Sequence, residues 1–247
     1  MLAQSECATL GDARPWENSL QMKFVPVPGT EVLFCIWETR GRDYEAFTKT
    51  TGQEWSKPDF AQGPTHPAVN VSWDDATAFC AWLTKMERKA GRIGSNQCYR
   101  LPTDAEWSAA VGLTNEPGRT PGEKDRTNLR DFPWGKQLPE WPPPPGAGNF
   151  DDYSEARIPG YRDGYEHTAP VGSFKPNRFG LYDLSGNVWE WCEDWKTKQR
   201  NVRVLRGGSW ANCDAVHLLS SDRFGQRPEK RYRNIGFRVV LASGQPR

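Results

Sequence analysis

Six cysteines and three histidines carry the sharpest chemistry in this 247-residue chain. Cys7, Cys35, Cys80, Cys98, Cys192 and Cys213 are scattered, with no Cys-x-x-Cys or other metal-ligand spacing, so no zinc site is expected. An even number of cysteines permits disulfides, but the start, Met1-Leu-Ala-Gln-Ser-Glu6, lacks the charged and apolar parts of a signal peptide. The sulfurs are therefore expected as mostly reduced, buried thiols. Cys213 and His217 lie just beyond a Gly-Gly-Ser at 207–209, and a thiol near an imidazole is the beginning of a thiolate nucleophile or of half a metal site. No third group orients the pair, so no catalytic residue is assigned. Cys192, directly after Trp191, reads as buried and inert.

The elements that would hold such groups are short. Twelve Trp, 23 Gly and 20 Pro describe many turns and packed aromatics, with few long helices. Between Asn18 and Gly52, the apolar runs Met22–Pro28 and Val32–Trp37 flank Pro28-Gly29 and read as a β-hairpin. Ser72 is placed to cap a helix whose Ala76, Phe79, Trp82, Leu83 and Met86 fall at helical spacing, with Gly91 as its stop. Thr103 and Glu106 make a capping box for a second helix. Residues 113–148, with the run Pro142–Pro145, read as a loop insertion without regular structure. The apolar runs starting at Val202 and Asn234 are expected to pair as neighbouring strands. Residues 211–234 then leave one edge of a sheet, where binding residues sit on a rigid scaffold.

Charge points to no partner, because 32 basic and 31 acidic residues leave +1, without a footprint for nucleic acid or an anionic membrane. No run approaches the roughly 20 apolar residues of a membrane helix. The chain reads as one monomeric domain over 1–247, cytoplasmic as written, and surface or secreted if it is part of a longer protein.

Five stretches then speak together: Pro67–Trp73, Tyr99-Arg-Leu-Pro-Thr-Asp-Ala-Glu-Trp107, Gly180–Trp191, Arg206-Gly-Gly-Ser-Trp210 and Asn234-Ile-Gly-Phe-Arg238. In this order they resemble the formylglycine-generating-enzyme (sulfatase-modifying factor) family from about Trp16 onward. The resemblance implies an α+β, C-type-lectin-like fold, here with two amphipathic helices, short antiparallel strands and much irregular loop. Trp73, Trp107, Trp189, Trp191 and Trp210 are expected as core aromatics.

The family's oxidase uses two nearby cysteines beyond the Gly-Gly-Ser to bind copper and exchange disulfides, chemistry that needs paired sulfurs. Here Cys213 stands alone, with Leu218 where the second sulfur would fall, so copper is not expected. Related sulfoxide-forming members hold iron with three histidines on an additional helical domain. His66, His167 and His217 have no such domain beside them.

The same resemblance implies two structural calcium ions. Asn149 with the Phe150 carbonyl, and Asp163 with the Tyr165 carbonyl, match the first site. Asp183, the Gly186 and Val188 carbonyls and Glu190 match the second. Mixed carboxylate and carbonyl oxygens are what Ca2+ takes.

The ending is also similar to the variable proteins of diversity-generating retroelements. A regular frame surrounds irregular residues, Ala211, Cys213, Asp214, Val216, His217, Asp222, Phe224, Gly225, Arg227, Tyr232 and Arg233, each encodable by a codon ending in cytosine. Tyr, Phe, Arg and His suit a display surface because they give large area or directional hydrogen bonds for few rotamers. The sequence thus points to a non-catalytic protein that binds a protein or other macromolecular ligand through 202–241, against the alternative of a thiol-dependent oxidase.

Overall fold

The computed structural model describes residues 15–136 and 142–243. In chain order these form β1 (Trp16–Glu17), β2 (Lys23–Pro26), β3 (Val32–Cys35), α1 (Gly41–Thr51), α2 (Trp73–Lys89), β4 (Gln97–Arg100), α3 (Asp104–Val111) and α4 (Pro121–Lys124). There follow β5 (Asp131–Phe132), β6 (Gly135–Lys136), β7 (Trp189–Trp195), β8 (Arg203–Arg206), β9 (Phe224–Gln226), β10 (Ile235–Phe237) and β11 (Val240–Ser243). Cys7 and the first six residues lie outside the described part.

The hairpin read from Pro28-Gly29 is β2 and β3, with Phe24 opposite Cys35 and Val25 opposite Phe34. It ends at Cys35, and after an irregular stretch through Arg40 the part from Gly41 to Thr51 is a helix instead of strand. Tyr44 and Phe47 face the core from α1, whose start is fixed by Asp43 accepting from the Arg40 amide at 3.1 Å and from Arg40 Nε at 2.8 Å. The β-branched run Thr48-Lys-Thr-Thr51 argues for a strand locally, and this cap with its buried face overrides it.

The two helices expected from caps form as read. Ser72 Oγ accepts from the Asp75 amide at 3.1 Å while Asp75 Oδ2 accepts from the Ser72 amide at 3.0 Å, and Ala76, Phe79, Cys80 and Leu83 are buried along one face of α2. Gly91, just beyond the Ala90 cap, sits at φ +67°. In α3 the Thr103 and Glu106 box is present, and Gly112 at φ +91° ends the helix. The insertion is more regular than expected, because Thr120 caps α4 and a tight turn at Pro133-Trp134 closes the β5–β6 hairpin.

Two sheets carry the core. The first has the order β1-β2-β3-β11-β4, all antiparallel, and the second β10-β7-β8-β9. The runs at Val202 and Asn234 do not pair with each other. β7, seven residues long and buried through Cys192, stands between them, antiparallel to β8 on one side and parallel to β10 on the other. Residues 211–234 therefore start beside one edge of β7 and end at its opposite edge, contributing β9 on the way as the outer strand paired to β8.

The main core packs Tyr44, Phe79, Trp191, Leu205 and Phe237 between the helices and sheets, and a second cluster gathers Phe34, Trp107, Val204 and Val240. Of the five motif tryptophans, Trp107, Trp189, Trp191 and Trp210 are buried and Trp73 is half-buried. Among the described residues no helix is long and apolar enough to cross a membrane.

Candidate functional site

The C-terminal excursion begins on a clamped base. Arg206, fully buried on β8, meets Asp104 at the start of α3 and donates to the Ser220 carbonyl at 2.6 Å. Arg223 donates to the same Asp104 at 2.9 Å and to Glu116 at 2.7 Å. Two arginines and two carboxylates thus bind both ends of residues 207–222 to one helix and one loop.

Beyond Arg206 the chain turns through Gly207 and Gly208 at φ +95° and +76°, and a Cβ on Gly208 would stand 3.0 Å from the His217 carbonyl. Glycine is required there by both backbone conformation and crowding. Asn212 Oδ1 then accepts from the Ser209 amide at 2.9 Å and its hydroxyl at 2.8 Å, and Asn234 Nδ2 donates to Ser209 Oγ at 3.2 Å.

On this base the irregular residues divide. Ala211, Asp214, Val216, Phe224, Arg227, Tyr232 and Arg233 are exposed, while Cys213, His217 and Gly225 are half-buried. Asp222 is different from what the pattern implies. It is only 1% exposed, because it takes Arg126 Nε at 2.6 Å and faces His217 Nδ1 at 3.4 Å, so it anchors the segment instead of displaying a side chain. Gly225 also points inward, since a Cβ there would meet Lys196 Cδ at 2.9 Å and Val202 Cγ2 at 3.1 Å. Three of the five large apolar side chains exposed among the described residues, Val216, Phe224 and Tyr232, lie in this one segment. Single exposed apolar residues are ordinary on a protein surface, and these three are set eight residues apart along the segment.

Neighbours that no sequence pattern announced extend the surface. Phe60 stacks on His167 at 4.3 Å, His167 meets Trp210 edge-on at 4.7 Å, and Arg233 lies over Trp210 at 5.4 Å while pairing with Asp59 at 3.0 Å. Phe60 and His167 come from distant loops without periodicity, so only the fold brings them together.

The thiols are unsuited to nucleophilic work. Burial pushes the Cys35 thiol up to about 12 and raises those of Cys80 and Cys192 well above the usual range; Cys98 is buried on β4 and also raised. Cys213 is half-buried, and partial burial with Asp214 and Asp151 raises its thiol. A raised thiol stays protonated at neutral pH, whereas the thiolate is the attacking form. His217 turns its Nδ1 to Asp222, and no hydrogen bond joins it to Cys213.

The calcium candidates lie side by side, because Asn149 and Gly186 form a bridge between their segments. Gly186 has φ +75°, and a Cβ there would fall 2.0 Å from the Asn149 carbonyl oxygen. In the first set Asn149 Oδ1 and nearby Asp152 Oδ1 are buried without a hydrogen-bond partner. Asp163 accepts from the amides of Phe150 at 2.8 Å and Tyr165 at 2.9 Å, and burial raises its carboxyl to about 6. These oxygens fit a hard cation. In the second set Asp183 Oδ1 is likewise without a partner, and burial raises that carboxyl to about 6. Glu190 fits less well, since Arg238 holds it at 2.7 Å and Trp107 Nε1 donates to it at 3.0 Å. Val188 donates its amide to buried Glu38 at 3.2 Å. Among the described residues no group of three or more His, Cys, Asp or Glu is arranged to hold a metal ion, so an ion here would depend on amide and carbonyl oxygens.

The sulfatase-modifying factor enzyme 1-like domain matches residues 17–243. "Inactive C-alpha-formylglycine-generating enzyme 2" of Bos taurus is 35% identical over 190 residues, 73% of this chain and 52% of that protein. "Formylglycine-generating enzyme" of Streptomyces coelicolor is 32% identical over 218 residues, 76% of this chain and 58% of that protein. The chain spans about half the length of the curated relatives it matches. Among solved structures, Treponema denticola variable protein 1 superposes with a TM-score of 0.56 and 20% identity over 92% of this chain and 98% of that one, which shows a shared fold.

Proposed function

The chain belongs to the family of sulfatase-modifying factor enzyme 1-like domains, and from that premise we propose that it is a binding scaffold and not an oxidase. It meets a protein or other macromolecular ligand, as a monomer, through the surface of residues 211–234. The observation that carries this reading is the exposure of Val216, Phe224 and Tyr232 on a segment whose base is clamped by Arg206, Arg223 and Asp222. A rigid base with exposed aromatic and basic tips lets side chains change without disturbing the fold. The names of two similar proteins, one inactive and one variable, are consistent with it.

Diversification of this segment by a retroelement is part of the proposal. Sequencing the locus across related isolates is expected to show adenine-linked changes confined to codons 211–234, beside a reverse transcriptase. A fixed segment with no retroelement would leave a static binding domain.

The competing reading is a formylglycine-generating oxidase, favoured by the name of the Streptomyces coelicolor relative. It requires a second sulfur beside Cys213, whereas Cys35, Cys80 and Cys192 are enclosed in the core. The protein supplied with copper(I) and a cysteine-containing sulfatase-motif peptide is expected to form no aldehyde by mass spectrometry. Aldehyde that disappears in Cys213→Ser would reverse the assignment. Calcium, held chiefly by Asn149 and Asp163 with Asp183 on the adjoining segment, belongs to the same proposal as a structural ion that fixes irregular loops.

A further inference from the structure

A cavity of about 580 Å3 lies away from the exposed C-terminal tips, between the end of α3, the β5–β6 hairpin, the turn at Pro144–Ala147 and the loop from Phe174 to Ser185. Two cations of that loop, Lys175 and Arg178, belong to its lining and are exposed. Neither makes an ion pair or hydrogen bond with any of the described residues, whereas Arg231 and Arg233 on the C-terminal surface are paired with Asp75 and Asp59. Arg178 nevertheless has a set position. Its guanidinium lies over the Phe179 ring at 4.7 Å, and Nη2 stands 3.2 Å from the point that a Cβ on Gly112 would take. Gly112 lines the same cavity, so the charge is folded against the cavity wall instead of extended into solvent. An arginine already ordered by packing loses little further freedom when it gains a hydrogen-bond partner.

Aromatic side chains form another wall, where Trp134 and Phe174 are half-buried. Trp134 stacks on Phe132 at 4.8 Å and meets Phe150 at 5.6 Å, and Phe150 meets Tyr161 at 5.4 Å, so this wall is the outer end of a packed ladder of rings. The carboxylates of the lining are otherwise engaged: Asp131 accepts from Asn128 Nδ2 at 2.7 Å, and Asp183 belongs to the second calcium set. A fixed aromatic wall beside two unmatched cations fits a flat apolar anion. We propose that the cavity binds a small aromatic carboxylic acid in its ionised form. The carboxylate meets Arg178 and Lys175, and the ring lies against Trp134 and Phe174. Arginine takes a carboxylate through parallel N–H donors, a contact that a neutral amide cannot match. An apolar, aromatic lining with a few placed polar groups is the usual form of a small-ligand site of this size. The ligand's contacts all lie outside residues 211–234, so the site stands or falls separately from the macromolecular surface.

Calorimetry on the full chain tests the idea with 3-phenylpropionate as probe against its neutral isostere, 3-phenylpropionamide. The acid is expected to bind saturably, about tenfold or more tighter than the amide, and to weaken as salt is raised. Arg178→Ala is expected to weaken the acid about tenfold and to leave the amide unchanged, whereas Trp134→Leu weakens both. Arg178 is exposed and holds no hydrogen bond, so its variant keeps its fold. If the melting curve of Trp134→Leu shows a damaged hairpin, Phe174→Ala carries the same test. No saturable heat from 3-phenylpropionate overturns the proposal, as does equal binding of the amide or an acid affinity unchanged in Arg178→Ala. Serine at Val216, Phe224, Tyr232 and Arg233 together is expected to leave the acid's affinity as it was. Its loss there would move the ligand to the C-terminal surface and overturn the proposal as well.

Discussion

Arg238 is fully buried and spends its donors on both oxygens of Glu190 and on the carbonyls of Cys35 and Tyr182. Removing one member of such a pair strands a buried charge. Arg238→Ala is therefore expected to lower stability by about 3–5 kcal/mol in urea denaturation. The role of Glu190 was only half legible in the sequence. The Trp-Glu-Trp motif marks it as special, but its partner lies 48 residues away and no local pattern records that pairing. Asp222 teaches the same point from the other side, since an irregular position in a display segment proves to be an anchor for Arg126. Cys213 leads to a second expectation. Partial burial with Asp214 and Asp151 raises its thiol, so native-state iodoacetamide labelling is slow at pH 7 and accelerates only above the ordinary thiol range near pH 8.5. Peptide mapping checks this, and fast labelling of Cys213 at neutral pH would contradict it.

Helices α2 and α3 were readable because their caps are local: Ser72 with Asp75, Thr103 with Glu106. α1 was not, because its N-cap residue is Arg40, whose side chain cannot accept, so that Asp43 holds the helix start instead, and its buried face competes with a strand-like run of threonines. The α2 cap carries a pH dependence. Burial alone would raise the Asp75 carboxyl, but Arg231 and the Ser72 amide and hydroxyl together hold it below the usual carboxylate range. A folded value below the unfolded one means that the stabilisation is complete above about pH 4 and is lost as pH falls through the folded value. Asp75→Asn is expected to cost about 1 kcal/mol at pH 7, limited by solvent screening of half-exposed Arg231, and close to nothing at pH 2. Urea melts at the two pH values decide it. At α3, Asp104 serves two buried arginines at once, so Asp104→Ala is expected to cost about 3–5 kcal/mol and to loosen residues 207–222 first in hydrogen exchange.

For the whole molecule, the division between clamped base and exposed tips makes the fold indifferent to the tips. Replacing Val216, Phe224, Tyr232 and Arg233 together by Ser is expected to shift the melting temperature by only a few degrees, because surface changes away from anchors are usually worth under about 0.5 kcal/mol each. Cooperative loss of the fold would show that the segment is part of the core. The proposed calcium is tested at the same scale: an ion that binds only the folded chain at 100 times its Kd adds about 2.7 kcal/mol, so added calcium is expected to raise the melting temperature and chelator to reverse it, and no shift would remove the ion from the proposal. The α+β class and the family frame were legible from five motifs, whereas the order of the second sheet was not. Two apolar runs near the end suggested direct pairing, but β7 offers both of its edges and takes one run on each.

β11 is the last described strand, yet it is an inner strand of the first sheet, between β3 and β4. While the ribosome is still making residues before Val240, β3 and β4 have an empty lane between them, each with a row of unanswered amides and carbonyls. The nascent chain thus cannot lock its first sheet progressively from the front. It must wait for one short stretch that follows every other strand of that sheet, and a message cut short before that stretch yields a chain with two sticky edges that calls for a chaperone or a protease.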